Sequence, residues 1–227
     1  MKVLLINGSS RKEGCTFTAL TEVAKSLEMN GIDTEIIHLG ANAIRDCVGC
    51  GACKGNDNGC IFKDDIVNEI IEKAKTADGF IFGSPVYYAH PSGRILSLMD
   101  RLFYAGARHF AFKPAAAIVS ARRAGTTAFS GKPGAAVVSC RRAGSTASLD
   151  ELNKYFTING MPIVSSRYWN MVHGNSPDDV KQDLEGLQIM RVLGENMAWL
   201  LKCIEVGKNT GINPPQTEKK IWTNFIR

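Results

Sequence analysis

The stretch Lys2-Val-Leu-Leu-Ile-Asn-Gly-Ser-Ser-Arg-Lys-Glu-Gly-Cys-Thr16 runs a short apolar strand into a hydroxyl-rich turn. From Thr16 the apolar spacing changes, and Phe17, Leu20, Val23, Ala24 and Leu27 share one helical face before Gly31 ends it. Strand, polar turn and helix in that order make half of a βαβ unit. The alternation continues through strands at Thr34–His38 and Gly79–Gly83. A helix begins at Asp64 or Asp65 with Ile66, Ile70 and Ala74 inward, and Pro91 opens another carrying Ile95, Leu98, Met99, Leu102 and Phe103. A fourth strand leads into a helix at Leu149–Tyr155, and a fifth strand is expected at Ile163–Ser166. Pro177 then precedes a long helix with Leu184, Leu187, Met190, Met197 and Leu201. Five such units predict an α/β domain built on a mostly parallel sheet.

The chain has 227 residues, 44% hydrophobic and 22% charged, which suits one folded domain with a large core. That domain is expected over 1–208, with 209–227 as a tail lying on the body or on a neighbouring subunit. No apolar run approaches the roughly 20 residues that span a bilayer, so a cytoplasmic protein without a membrane partner is expected. The net charge of +5 comes from scattered Lys and Arg, with paired arginines only at Arg122/Arg123 and Arg141/Arg142. This fits small anionic ligands and argues against nucleic acid, which calls for a denser basic stripe.

One segment occurs twice. Lys113-Pro-Ala-Ala-Ala-Ile-Val-Ser-Ala-Arg-Arg-Ala-Gly-Thr-Thr-Ala128 returns as Lys132-Pro-Gly-Ala-Ala-Val-Val-Ser-Cys-Arg-Arg-Ala-Gly-Ser-Thr-Ala147, a tandem duplication of strand four and its loop. Two copies are too few for a solenoid, and they compete for one slot in the sheet. The second copy is expected to fill it, because only that copy leads directly into the next helix.

Ligands of an open parallel sheet bind beyond the carboxyl ends of its strands, so the loops after strands one, three and four are the ones to weigh. The first, Gly8 to Thr16, combines hydroxyls, a guanidinium and a helix N-terminus, which suits a terminal phosphate. It has neither the Gly-Lys-Ser/Thr ending of a triphosphatase loop nor the spacing of a dinucleotide fold. The loop Ser84-Pro-Val-Tyr-Tyr-Ala-His-Pro-Ser-Gly93 is stiffened by two prolines and can lie along a flat ring. The loop Ser139-Cys-Arg-Arg-Ala-Gly-Ser-Thr146 offers cationic and backbone donors that could stabilise the negative charge of a reduced flavin.

Together Asn7-Gly-Ser-Ser-Arg11, Gly14-x-Thr16, Gly83-Ser-Pro-Val-Tyr-Tyr88, Ser139-x-Arg-Arg-Ala-Gly144 and Tyr168-Trp-Asn-Met-Val-His-Gly174 make the chain similar to the NADPH-dependent FMN reductases of the flavodoxin superfamily. The resemblance implies a flavodoxin-like, doubly wound five-stranded parallel sheet in the order 2-1-3-4-5. It implies FMN phosphate on Ser9, Arg11, Cys15 and Thr16, and the ring against Pro85, Val86, Tyr87 and the Arg142–Gly144 loop. Tyr88, Ser139 and Arg141 complete the expected cofactor set. It further implies NAD(P)H as a transient co-substrate, a small-molecule electron acceptor, and a homodimer or homotetramer with Trp169–Met171 at the contact. No protein acid or base is required, so no catalytic side chain is assigned, and His90 reads as a bystander.

Cys47, Cys50, Cys53 and Cys60 fall within fourteen residues on a glycine-rich loop. Four thiolates at such spacing can wrap a [4Fe–4S] cluster, and the spacing resembles the compact motif of iron–sulfur flavoproteins. Zinc and metal-free thiols remain the alternatives, although structural zinc sites usually split their cysteines into separated pairs. Three functions therefore stand open. One is an FMN reductase using NAD(P)H, the second an iron–sulfur electron carrier fed by ferredoxin, and the third a non-catalytic oligomer whose flavin loop the duplication has displaced.

Overall fold

The computed structural model describes residues 1–53, 59–106 and 132–213. Strands β1 (Lys2–Asn7), β2 (Asp33–His38) and β3 (Gly79–Tyr87) join one sheet, and β4 (His90–Pro91) folds back antiparallel on β3. With β5 (Gly134–Cys140) and β6 (Met171–His173), the parallel path runs β2-β1-β3-β5-β6, which is the expected 2-1-3-4-5 order of the main strands.

Each central strand is apolar on both faces, as a sheet covered on both sides requires. Val3, Leu5, Ile81, Ala135 and Val137 point to one layer, while Leu4, Ile6, Phe80, Phe82, Ala136 and Val138 point to the other. Helix α1 (Cys15–Met29) and the long α6 (Leu184–Asn209) cover the first layer through Leu20, Val23, Leu27, Leu193 and Met197. Helices α2 (Val67–Thr76), α3 (Gly93–Ala105) and α4 (Ser145–Ile158) cover the second through Ile70, Leu98, Leu102, Leu152 and Phe156. Each such buried side chain contributes about 1.5–3 kcal/mol relative to exposure. Among the described residues, no helix is long and apolar enough to cross a membrane.

Three local expectations change. Pro91 belongs to β4, and α3 starts after Ser92, whose hydroxyl accepts from the Ile95 N–H. The run expected as strand five makes only one bridge to the sheet, at Ile163, and the chain then leaves and returns as β6. The last helix is broken at Asp183, which separates α5 (Pro177–Gln182) from α6 and caps α6 by accepting from the Gly186 N–H.

The slot between β3 and β6 is filled by the second copy of the repeat, while the first copy, 113–128, lies outside the described residues. The differences between the copies suit this choice. A Cβ at Gly134 would sit 2.8 Å from the Met161 methyl and 3.2 Å from the Phe156 ring, and the first copy carries Ala115 there. Val137 is fully buried where the first copy carries the larger Ile118.

Lys132 enters β5 beneath the end of α2, where its Nζ donates to Ala74 O at 3.3 Å and Ala77 O at 2.6 Å. Burial outweighs the nearby Asp78 charge and lowers its pKa to about 8. The unfolded chain holds this proton up to about 10.5, so between those values it binds more protons than the native state. The contribution of Lys132 to stability should therefore rise as pH increases from 8 towards 10. The urea midpoint of the protein should rise relative to that of Lys132→Met over that range; a difference independent of pH would count against it.

Candidate functional site

At the carboxyl edge of the sheet the winding order reverses between the parallel strands β1 and β3, and the three loops meet there. The Gly8 N–H donates to Gly83 O at 2.8 Å, fixing the first loop to the end of β3. Ser92 ties the same two segments, donating from Oγ to Gly8 O and from its N–H to Ser84 Oγ, each at 2.9 Å. Thr16 Oγ1 and Ser139 Oγ lie 2.9 Å apart and buried, so α1 is joined to the end of β5. Gly144, at φ +87°, leaves so little room that a Cβ would lie 2.6 Å from Ala89 Cα and 3.1 Å from Val86 Cγ1. The third loop thus rests on the β3–β4 hairpin.

The expected residues divide by role within this edge. Ser9, Thr16 and Ser139 are buried and already engaged; the Ser9 hydroxyl accepts from the Arg11 N–H at 3.1 Å. Arg11, Arg141, Arg142, Tyr87 and Tyr88 are exposed on its rim, and Pro85, Val86 and Gly144 are half-buried between. Cys15 donates its thiol to Gly174 O at 3.7 Å, and burial is the main cause holding its pKa above the ordinary thiol value. Tyr88 and Ala89 form the hairpin tip at φ 51° and 63°, a backbone normally given to Asn-Gly. Such strain concentrates where a loop must hold a set shape.

Sequence reasoning missed the residues that shape the edge from behind. Asn7 Oδ1 accepts from the Ser9 N–H at 3.1 Å, and its Nδ2 donates to Lys12 O at 3.2 Å, which closes the first loop. A buried asparagine ending an apolar strand was the available signal. His38 Nε2 lies 3.0 Å from Ser9 O.

The helix starts decide whether the edge fits a phosphate-bearing ring. Gly14 and Gly144 cap α1 and α4 without any side-chain hydrogen bond, and neither first turn carries an acid. Helices α3, α5 and α6 are instead capped by Ser92, Ser176 and Asp183. Of the helices that start at this edge, α1 and α4 therefore leave their first-turn N–H groups and positive dipole ends available to an anion. The residues present fit the group.

A second site lies along α3. Cys47, Cys50, Cys53 and Cys60 line one cleft with Gly49, Phe62, Arg101 and Tyr104, open to solvent on one side. Cys60 is buried and Cys50 exposed. Burial first, and the neighbouring cysteines after it, raise the pKa of Cys53, whose thiol donates to Tyr104 O at 3.8 Å. Among the described residues, no three His, Cys, Asp or Glu side chains are grouped to hold a single metal ion. All four cysteines nevertheless line one cleft, and four-cysteine ligation is the rule for an iron–sulfur cluster, so the donor set fits one.

The family model of the NADPH-dependent FMN reductases matches residues 1–128. An iron–sulfur flavoprotein of Methanocaldococcus jannaschii is 34% identical over 90% of this chain and 100% of its own. An iron–sulfur flavoprotein of Methanosarcina thermophila is 27% identical over 92% of this chain and 100% of its own. Among solved structures, a flavodoxin from the Archaea aligns with a TM-score of 0.55 at 15% identity, covering 89% of this chain and 99% of that one, a likeness of fold.

Proposed function

Because the chain belongs to the NADPH-dependent FMN reductase family, we propose that it is a flavin-dependent oxidoreductase that binds FMN at the three-loop edge and a [4Fe–4S] cluster in the four-cysteine cleft. One observation carries this reading: α3 joins both sites. Its capping Ser92 is bonded to the first loop, and Arg101 and Tyr104, nine and twelve residues on, line the cysteine cleft. At 1.5 Å per residue the helix covers about 14 Å between Ser92 and Arg101.

The uncapped N–H groups of α1, with Arg11 on the rim, would hold the phosphate, and Ser9 and Thr16 would keep their loop in shape. Pro85, Val86 and Tyr87 would lie along the ring. The Arg142–Gly144 loop would present backbone donors and positive charge to its polar edge. FMN, when bound, supplies the one- and two-electron chemistry, and the protein's part is to orient the ring and leave a face open to donor or acceptor. The exposed Cys50 side of the cleft gives a protein donor such as ferredoxin an approach to the second centre.

A second reading keeps FMN but leaves the thiols free of metal, with NAD(P)H as donor to a small acceptor. It is favoured by the absence, among the described residues, of a three-ligand grouping for one ion. Anaerobically purified protein distinguishes the two. The first expects flavin absorption together with about four irons and four acid-labile sulfides per chain. Flavin without iron, bleached rapidly by NADPH or NADH, would replace the first reading with the second. A colourless protein that takes up no FMN would remove both.

A further inference from the structure

Arg101 stands in the apolar face of α3, only 1% exposed, and the cysteine segment is wrapped around its guanidinium. Nε donates to Cys60 Sγ at 3.2 Å. One terminal nitrogen bonds Asp65 Oδ2 and donates to Arg45 O at 3.1 Å, and the other donates to Phe62 O at 3.1 Å. The guanidinium carbon lies 5.5 Å from the centre of the Phe62 ring. Four acceptors from three parts of the 45–65 segment therefore converge on one side chain.

A fully buried arginine is costly to desolvate, and tying down a surface loop needs no charge. The Asp65 pair and the two carbonyls account for most of its donors. They do not account for Nε, the donor aimed at sulfur. Sulfur in a neutral thiol is a weak acceptor, whereas a ligated cysteine sulfur carries negative charge and takes a charge-assisted bond well.

We infer that Arg101 is a positioning residue for the iron–sulfur centre. Its Nε–H holds Cys60 Sγ in place as a ligand and, through that bond, raises the reduction potential of the cluster. This rests on the cluster reading above. One-electron reduction adds negative charge to the cluster and its sulfurs, so a fixed N–H donor and a nearby cation favour the reduced form; hydrogen bonds to sulfur are among the known determinants of such potentials. Asp65 offsets part of the charge at longer range, but the directional Nε–H contact remains.

The test uses anaerobic holoprotein titrated with dithionite. Arg101→Lys keeps a cation for Asp65 but cannot reach Cys60 and the carbonyls at once. With FMN and iron contents like the parent, it should show a cluster reduction equilibrium about tenfold less favourable, equivalent to about 59 mV for one electron. An unchanged potential would overturn the inference. A second measurement leaves Arg101 itself unchanged. Protein grown on ¹⁵N-arginine should show an arginine nitrogen coupled to the reduced cluster in pulsed electron paramagnetic resonance. That coupling should persist in Asp65→Asn, which leaves Nε in place. A cluster present without such coupling overturns the role of Arg101 alone, while absence of iron and sulfide from the parent removes the cluster and the inference with it.

Discussion

Asp65→Ala should lower the stability of the protein by about 3–5 kcal/mol, the cost typical of leaving one half of a buried ion pair without its partner. Asp65 is 6% exposed and Arg101 1%, so water cannot replace the lost carboxylate. The same side chain bonds two backbone donors, accepting from the Arg45 N–H at 3.3 Å and from the Val67 N–H at 3.2 Å, the latter at the start of α2. Removing it thus uncouples the cysteine segment from both α2 and α3. By contrast, the surface pair Arg45–Asp64, more than half exposed on both sides, should matter little. Urea unfolding is the measurement, read as a lower midpoint with little change in slope. Asp65→Ala combined with Arg101→Met should recover part of the loss, because the stranded charge is then gone. If Asp65→Ala alone cost less than about 1 kcal/mol, the pair would be solvated and the account of this cleft would fail.

Much of the fold was legible because its signals are local. The apolar run Val3–Ile6 followed by the face of Leu20, Val23 and Leu27 fixes β1 and α1 without reference to any distant residue. Most of what was missed depends on partners far along the chain. Ile163 and Val164 look like the start of a strand, yet the chain is drawn away from the sheet by bonds to α6. Asn196 Nδ2 donates to Ser165 O at 2.9 Å, and Ser166 Oγ donates to Ile189 O at 2.7 Å. Pro91 looked like a helix start because the Tyr88-Ala89 turn carries neither Asn nor Gly to announce a hairpin. The loops of the candidate site could be read from their hydroxyls, cations and glycines. Arg101 could not: a single arginine in an amphipathic helix reads as a solvated side chain, and its partners Cys60, Phe62 and Asp65 lie 36 to 41 residues away.

Gly144→Val should cost about 2–4 kcal/mol and weaken FMN binding at least tenfold, for two reasons that act together. At φ +87° the residue is left-handed, where a side chain adds about 1–2 kcal/mol of strain. The new Cβ would also meet the Ala89 backbone at 2.6 Å, and a Cα cannot swing aside as the end of a long side chain can. The hairpin carrying Val86 and Tyr87 would have to move away from the β5 loop. That would open the edge on which the proposed flavin ring rests and disturb the uncapped start of α4 beside it. Ala89→Gly separates the two causes. Alone it should stabilise the hairpin tip, where Ala89 sits at φ 63°. Combined with Gly144→Val it should restore part of the FMN affinity by removing the Ala89 Cβ, 3.0 Å from the new atom, without touching the strain at 144. FMN dissociation constants from flavin fluorescence, set against thermal midpoints of the apoproteins, give both readings. Normal FMN affinity in a Gly144→Val protein that is measurably less stable would mean that the β5 loop and the hairpin do not form one binding surface.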